Sequence, residues 1–352
     1  MTREAGTREA GKGERQPSRR ARVVVALGLG VFAVVLVLVG RHLQSRPSDF
    51  DQLWFGARAL WSGQDPYALI GPGKAFQWEW PLYYPATALV AVLPLAALPL
   101  EIARASFVGV SAALLAYGVT RESWFRLTLF GSGAYMMAAM AAQWSPLLTA
   151  AICLPVLAFI VPAKPNVGAA IVASNPTREM LAYAVFGGTL LLAVSLLLLP
   201  TWPAKWLATM RLGSGFLAPV GYRGGVLLPL ALLRWRRAEA RLLAVLAVVP
   251  HNNVAVYATL PLFIIPRTFR EMLFMTALNT LALICITLVI TMQAPSMVDN
   301  RYMPGDVLVA LCYLPALFMV LMRANDGDLP EWIERLVPAL RARAGSESLR
   351  TG

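Results

Sequence analysis

Asp49 and Asp51 stand two residues apart in "SDFDQLWFGARALWSGQDPY", residues 48–67, directly after a run from Val23 to Gly40 without a charged residue. A carboxylate held at such a border could take a proton from an alcohol as a general base, or ligate a divalent ion. On a helix, two residues at this spacing point in different directions, so one centre would use one of them. A purely structural account is also open: Ser48 or Asp49 is the helix N-cap, and Asp51 complements the helix dipole.

The elements that hold these acids follow from composition. The chain has 352 residues, 58% of them hydrophobic and 14% charged, against a usual charged share of about 25%. This predicts an integral membrane protein of all-α class, because lipid requires each span to satisfy its own backbone. Val23 to Gly40, Met180 to Leu199 and Met272 to Met292 reach the roughly 20 residues that cross a hydrocarbon core. By the same length rule the chain makes roughly nine to eleven spans, with the segment "ATALVAVLPLAALPL" left as either a short span or a re-entrant piece. If that segment crosses, Arg121 lies outside; if it does not, Arg121 and Arg126 lie inside, as their charge prefers.

The net charge of +12 is spread in short blocks between apolar runs: Arg15 to Arg22, "RWRRAEAR" at 234–241, and Arg335 to Arg343. That distribution is the positive-inside pattern, not a nucleic-acid surface. It predicts a disordered basic cytoplasmic tail over 1–22, a transmembrane domain over 23–322 and a cytoplasmic tail over 323–352. The first apolar run is too long for a signal-peptide core and reads as a signal anchor in a plasma membrane. It delivers the loop 41–84 to the outer side, together with 200–222 and 293–305. Cys153, Cys285 and Cys312 lie in apolar runs and read as packing residues.

Within the loop, Phe50, Leu53, Trp54, Ala57, Leu60 and Trp61 recur at helical spacing, with Asp51, Gln52 and Arg58 facing away. The pattern predicts an amphipathic helix on the outer membrane surface, ended by Gly63 and followed by a turn at Asp65-Pro66. The chain shows no repeat and no inverted halves, which argues against common transporter designs. It also lacks a nucleotide-binding glycine turn and a Ser-His-Asp or metalloprotease spacing.

An acid beyond the first span, then "ARALWSGQDPY", then "YYPATALVAVLPLAALP" resembles the integral-membrane glycosyltransferases of the GT-C superfamily, in particular glycosyltransferase family 87. The later "AQWSPLL" and "AKPNVGA" are similar to that family's Gly-Gln and Lys-Pro segments. Three departures stand out: Ala142 replaces the glycine before the glutamine, Ala86 replaces a second proline, and the span after Lys164 is short. The resemblance implies a GT-C helical bundle that transfers a sugar, mannose by the family, from a polyprenyl-phosphate donor to a lipid-linked or glycan acceptor, with inversion.

By matching position the resemblance makes Asp49 the base and leaves Asp51 as reserve, or as a ligand if a divalent metal ion is used. A phosphate leaving group needs no second carboxylic acid, unlike a glycosidase. It needs cations, for which Lys164, Arg58, Arg223 and His251 are candidates. Each has a plainer reading: a snorkelling lysine, a polar-face arginine, an interface anchor and a structural histidine. Gln143 with Trp144 could bind sugar hydroxyls and stack on a sugar face, or could mark an aromatic belt. Glu79 in "FQWEWPLYY" could bind an acceptor sugar or remain a solvated acid, and Tyr67 and Tyr84 join the binding set through the motifs that contain them. A transporter or flippase, and a non-catalytic scaffold, are the competing functions. A transporter would place its ionisable residues within spans, whereas the acids here lie mostly in loops.

Overall fold

The computed structural model describes residues 17–43, 47–212, 216–252, 254–292, 303–326 and 329–336. The expectations for 1–16, 293–302 and 337–352 lie outside the described residues. The fold is an all-α bundle whose only sheet, among the described residues, pairs Ile70–Gly71 (β1) with Phe76–Gln77 (β2).

Two opposite ends of the bundle can be told apart by their contacts: one carries Asp49, the other most of the arginines. α1 (Arg19–Leu43) runs from the arginine end to the Asp49 end, where α2 (Asp49–Trp61) and α3 (Pro66–Leu69) follow. α4 (Ala86–Ala96) leads into α5 (Leu100–Val119). At the far end of α5, Arg22 donates to the Tyr117 carbonyl and to Thr120 Oγ1, so α5 is antiparallel to α1. The two helices close on each other at Gly30 and Gly109: a Cβ on Gly109 would stand 2.8 Å from Val34 Cγ2, the small-residue contact by which apolar helices associate in lipid.

α4 does not cross. It lies along α2, with Leu89 against Gly56, and its C-terminal end stays beside α2 through Trp54 Nε1 donating to Leu98 O at 3.0 Å. Arg121 therefore lies on the same face as Arg22, which is the arrangement its charge prefers. The amphipathic reading of α2 needs correction at two places. Asp51 and Gln52 are buried, not turned to solvent, and Trp61 is exposed. The cause is that α4 and α5 cover α2 from two sides, with Arg104 of α5 reaching Asp51.

From residue 124 onward the chain shuttles between the two ends, in part through short pieces. These are the tight 3₁₀ segment Trp124–Gly131 with α6 (Gly133–Met140), α7 (Ser145–Cys153), the 3₁₀ segment Pro155–Ala163 and α8 (Pro165–Ser174). The long α9 (Arg178–Leu198) returns to the Asp49 end, where α10 (Trp202–Leu212) lies. Gly225–Arg234, α11 (Ala238–Val248) and Val256–Ile264 are again short, before α12 (Phe269–Met292). α13 (Met303–Leu308), a π-turn and α14 (Leu314–Leu321) make the last pass, and α15 (Glu331–Leu336) closes on the arginine end through Trp332 and the carbonyl of Pro176.

Among the described residues five helices are long and apolar enough by themselves to cross a membrane: Arg19–Gly40, Leu100–Val119, Arg178–Leu198, Phe269–Leu288 and Met303–Leu321. The remaining passes are cut short by proline, with Pro162, Pro229 and Pro261 inside the 3₁₀ pieces and Pro146 and Pro165 in the first turns of α7 and α8. Proline in a helix interior removes a ladder donor and crowds the preceding turn, which kinks or breaks an α-helix, and in a first turn it marks where a new helix starts. Nine or ten residues of 3₁₀ helix rise only about 20 Å. Of these pieces Val256–Ile264 is enclosed by its neighbours, whereas Gly225–Arg234 turns Val226, Leu227, Leu230, Leu232 and Leu233 outward.

Candidate active site

α6 ends in a left-handed turn that aims the residue after it. Ala142 has φ of 49°, the only non-glycine residue with positive φ among the described residues. Gln143 N–H bonds back to Ala138 O at 2.8 Å, the closing bond of a Schellman motif in which glycine usually holds the left-handed position. A side chain in that conformation costs roughly 1–2 kcal/mol. Ala142→Gly is therefore expected to raise unfolding stability by about 1 kcal/mol, measured by thermal unfolding, and to leave the Gln143 contacts intact.

The same turn holds the start of α2, because Asp49 N–H donates to Ala141 O at 3.0 Å. Ser48 is the N-cap, and the acid that reaches back to it is Asp51: its carboxylate accepts the Ser48 N–H at 2.8 Å and the Ser48 hydroxyl at 2.7 Å. Arg104 Nε meets the same carboxylate at 2.7 Å. With its acceptors engaged, Asp51 does not line the cavity described next, and the capping work leaves Asp49 free to face it.

Asp49 opens into a cavity of about 330 Å³ and is the only carboxylate among its lining residues. Gln143 Nε2 donates to Asp49 Oδ2, and Gln143 Oε1 accepts from Lys164 Nζ at 3.0 Å and from Tyr84 OH at 3.3 Å. Lys164, in the turn between Pro155–Ala163 and α8, also lies 4.7 Å over the ring of Tyr257. One amide thus joins an acid, a base and a phenol.

The electrostatics of this cluster are dominated by the burial of its charged groups. Burial, opposed by Lys164 and by the Gln143 hydrogen bond, pushes the Asp49 carboxyl up to about 6. Burial also brings the Lys164 ammonium down to about 8, against the pull of Asp49. His251 is driven down to about 4 by burial, so it is neutral at neutral pH. Its Nδ1 lies 2.9 Å from Val249 O and its Nε2 lies 3.0 Å from Tyr313 OH. A neutral ring with Nδ1–H donating and Nε2 accepting satisfies both contacts.

The lining is aromatic around this polar floor: Trp78, Trp80, Tyr83, Trp206, Phe216 and Tyr257. α10 forms part of the wall, tied by Trp206 Nε1 to Tyr83 O at 2.9 Å and by Lys205 to Asp65 at 2.7 Å. Flat rings with a few convergent polar groups are the usual make-up of a small-molecule site.

Of the residues singled out from sequence, the structure brings Asp49, Tyr84, Gln143, Lys164 and His251 into one cavity. It leaves the others elsewhere. Trp144 is buried edge-on against Phe107, with ring centroids 5.0 Å apart, because the Schellman turn sends Gln143 and Trp144 in opposite directions. Arg223 is 91% exposed and lies by Asp306. Arg58 stacks on Trp54 at 4.8 Å and donates to Ala96 O. Tyr67 supports the site from behind, its hydroxyl donating to Tyr84 O at 3.0 Å. Glu79 is exposed outside the lining, although its charge acts on Asp49. Sequence reasoning missed Trp206, Tyr257, Asn166 and Asn252. Trp206 belongs to the tryptophan-rich segment 200–222, and the two asparagines follow Lys164 and His251 closely, so their signal was position and not type.

A resident divalent ion does not fit these residues. Among the described residues no group of three or more His, Cys, Asp and Glu side chains comes together. Asp51, held in reserve as a ligand if a divalent ion is used, is taken by Arg104 and Ser48. Compared with protein-family models, curated proteins and solved structures, the chain matches none.

Proposed function

We propose that the chain is a membrane glycosyltransferase of GT-C type, similar to family 87, which moves a hexosyl group, mannosyl by that resemblance, from a polyprenyl-phosphate donor to an acceptor hydroxyl on a lipid or cell-envelope glycan. The observation that carries the reading is the Asp49–Gln143–Lys164 cluster at the floor of an aromatic cavity. The glycine that the family places before its glutamine also agrees with the left-handed backbone at Ala142.

The chemistry follows from the cluster. The acceptor O–H gives its proton to Asp49 as its oxygen bonds to the anomeric carbon, and the bond from that carbon to the phosphate oxygen breaks on the opposite face. The leaving phosphate carries the electron pair away, and the Lys164 ammonium offsets its charge in a low-dielectric site. Asp49, raised to about 6, is a stronger base than an ordinary aspartate and is still ionised at neutral pH. Gln143 fixes the carboxylate's orientation and keeps Lys164 off it. With the arginine end cytoplasmic, the cavity faces the outer side of a prokaryotic plasma membrane.

The test is transfer of radiolabelled mannose from its polyprenyl-phosphate carrier in membranes, comparing the native chain with Asp49→Asn and Asp51→Asn at matched amounts of folded protein. Loss confined to Asp49→Asn supports the reading; equal transfer by all three variants would sink it. Transfer absent even from the native chain points to another donor or to a scaffold. The rate is expected to rise with pH through about 6, as Asp49 ionises, and to fall above about 8, as Lys164 loses its proton. A profile flat from 5 to 9 would remove Asp49 from the chemistry.

A further inference from the structure

The last pass of the chain is not one α-helix. Pro315 has no N–H to give to the carbonyl of Leu311, and the helix widens before it: Leu314 N–H bonds to Val309 O, five residues back, through the π-turn Val309–Tyr313. Such turns inside α-helices are frequent at functional sites, and this one decides where two neighbouring side chains go. Cys312 and Tyr313 are both buried. Cys312 Sγ accepts from Asn279 Nδ2 of α12 at 3.4 Å, whereas Tyr313 turns to the loop after α11, its hydroxyl 3.0 Å from His251 Nε2. The Tyr313 and His251 rings lie nearly parallel, at 22°, with centroids 6.2 Å apart.

His251 stands where several segments cross. Its Nδ1 lies 2.9 Å from Val249 O and its backbone N–H reaches Leu217 O at 3.4 Å, while Asn166 Nδ2, at the start of α8, reaches Pro250 O at 3.3 Å. A carbonyl can only accept, so Nδ1 carries the ring proton; burial keeps the ring neutral, which leaves Nε2 bare and makes the Tyr313 hydroxyl the donor. Both ring nitrogens are thereby engaged. Asn166, Pro250, His251 and Asn252 line the Asp49 cavity, and Tyr313 stands behind them, outside the lining.

We infer that Tyr313 is a positioning residue for the Asp49 cavity: by donating to His251 Nε2 it fixes segment 249–252 as one wall of the substrate site. Its effect on catalysis rests on the sugar-transfer reading of that cavity. The polar floor is held separately, by Asp49 N–H on Ala141 O and by the Gln143 bonds to Asp49 and Lys164. Loss of the Tyr313 hydroxyl should therefore weaken the binding of substrate and transition state alike, which raises KM and spares kcat.

The test uses the full chain in neutral detergent, with its histidine nitrogens labelled for NMR. The chain has 2 histidines, His42 and His251, so a His42→Gln background leaves His251 alone in the spectrum. At neutral pH His251 is expected to show a protonated Nδ1 and a bare Nε2, and Tyr313→Phe should move the Nε2 resonance. In membranes supplied with radiolabelled mannose on its polyprenyl-phosphate carrier, Tyr313→Phe should raise KM for the donor about fivefold, the scale of one neutral hydrogen bond, with kcat held within about twofold. His251→Asn keeps a donor near Val249 O and has no group in place of Nε2. It should raise KM by a similar factor, and adding Tyr313→Phe to it should change nothing further. It also remains readable if Tyr313→Phe folds poorly. A ring proton on Nε2, an Nε2 resonance unmoved by Tyr313→Phe, an unchanged KM in the folded fraction, or effects that multiply in the double variant would each overturn the proposal. A role in stability alone lowers the amount of folded protein and leaves KM where it was. Absence of transfer by the native chain instead overturns the sugar-transfer reading, and the two spectra still decide whether Tyr313 holds His251.

Discussion

Asp49→Asn is expected to lower sugar transfer by about 10²–10⁴ while raising thermal stability at neutral pH. The two signs come from one cause. Burial lifts the carboxyl from its ordinary 3.8 to about 6, so the folded state favours the protonated form. The stability linked to that preference is complete below about pH 4 and is lost as pH rises through about 6. At neutral pH the native chain therefore holds a charge that its fold disfavours, and asparagine removes it while still accepting from Gln143. The variant's Tm advantage should shrink towards zero below about pH 4. A capping role predicts the opposite: loss of a cap lowers stability by about 1 kcal/mol and leaves chemistry unaffected. Activity and Tm measured on one preparation separate the two cases, and a Tm that falls together with activity would sink the catalytic reading.

Asp51 should behave in the contrary way. Asp51→Ala leaves Arg104 buried with only the exposed Glu101, 3.9 Å away, as counter-charge, and breaking a buried pair from one side costs about 3–5 kcal/mol. Arg104 and Asp51 are each 3% exposed, so water cannot take over. Asp51→Leu together with Arg104→Met should regain most of that loss, because a packed apolar pair is often as stable as a buried ion pair. The recovery should stop short by about 1–2 kcal/mol, since the Ser48 N–H and hydroxyl lose their acceptor as well. Thermal unfolding of the single and double variants decides it. A single variant with native stability would show that the pair does not hold α2 to α5.

The sequence made the membrane character and the long helices legible, because an apolar run of about 20 residues has few other uses. α1 and α12 contain the runs expected from it, and α9 contains all of its run but Leu199. The short passes were not legible. Length counting treats an apolar stretch as either a span or nothing, whereas Pro155–Ala163 and Val256–Ile264 are apolar and proline-broken, and the second is wrapped by protein. At the site, Gln143 was reached through the motif resemblance of "AQWSPLL", while residue type was enough to mark Lys164, since a polar side chain in an apolar setting must be explained. It could not tell Asp49 from Asp51. That distinction depends on Arg104, which is far along the chain and carries no local mark. Trp144 was misplaced for the reverse reason: adjacency to Gln143 suggested a shared task, and a single left-handed residue, Ala142, separates them.

The shuttling course of the chain bears on how the molecule is made. The cavity takes its wall from every second turn, at Asp49, Tyr84, Gln143, Lys164, Trp206 and His251, up to Ala258. During synthesis α1 and α5 can dock as soon as both have emerged, because all their mutual contacts lie within the first third of the chain. The polar floor waits longer. Until the turn after α11 arrives, Asp49 and Lys164 border an unfinished pocket with neither His251 nor Tyr257 in place. A nascent chain arrested between α9 and α11 would therefore be a bundle without its finished cavity, which would close late and all at once.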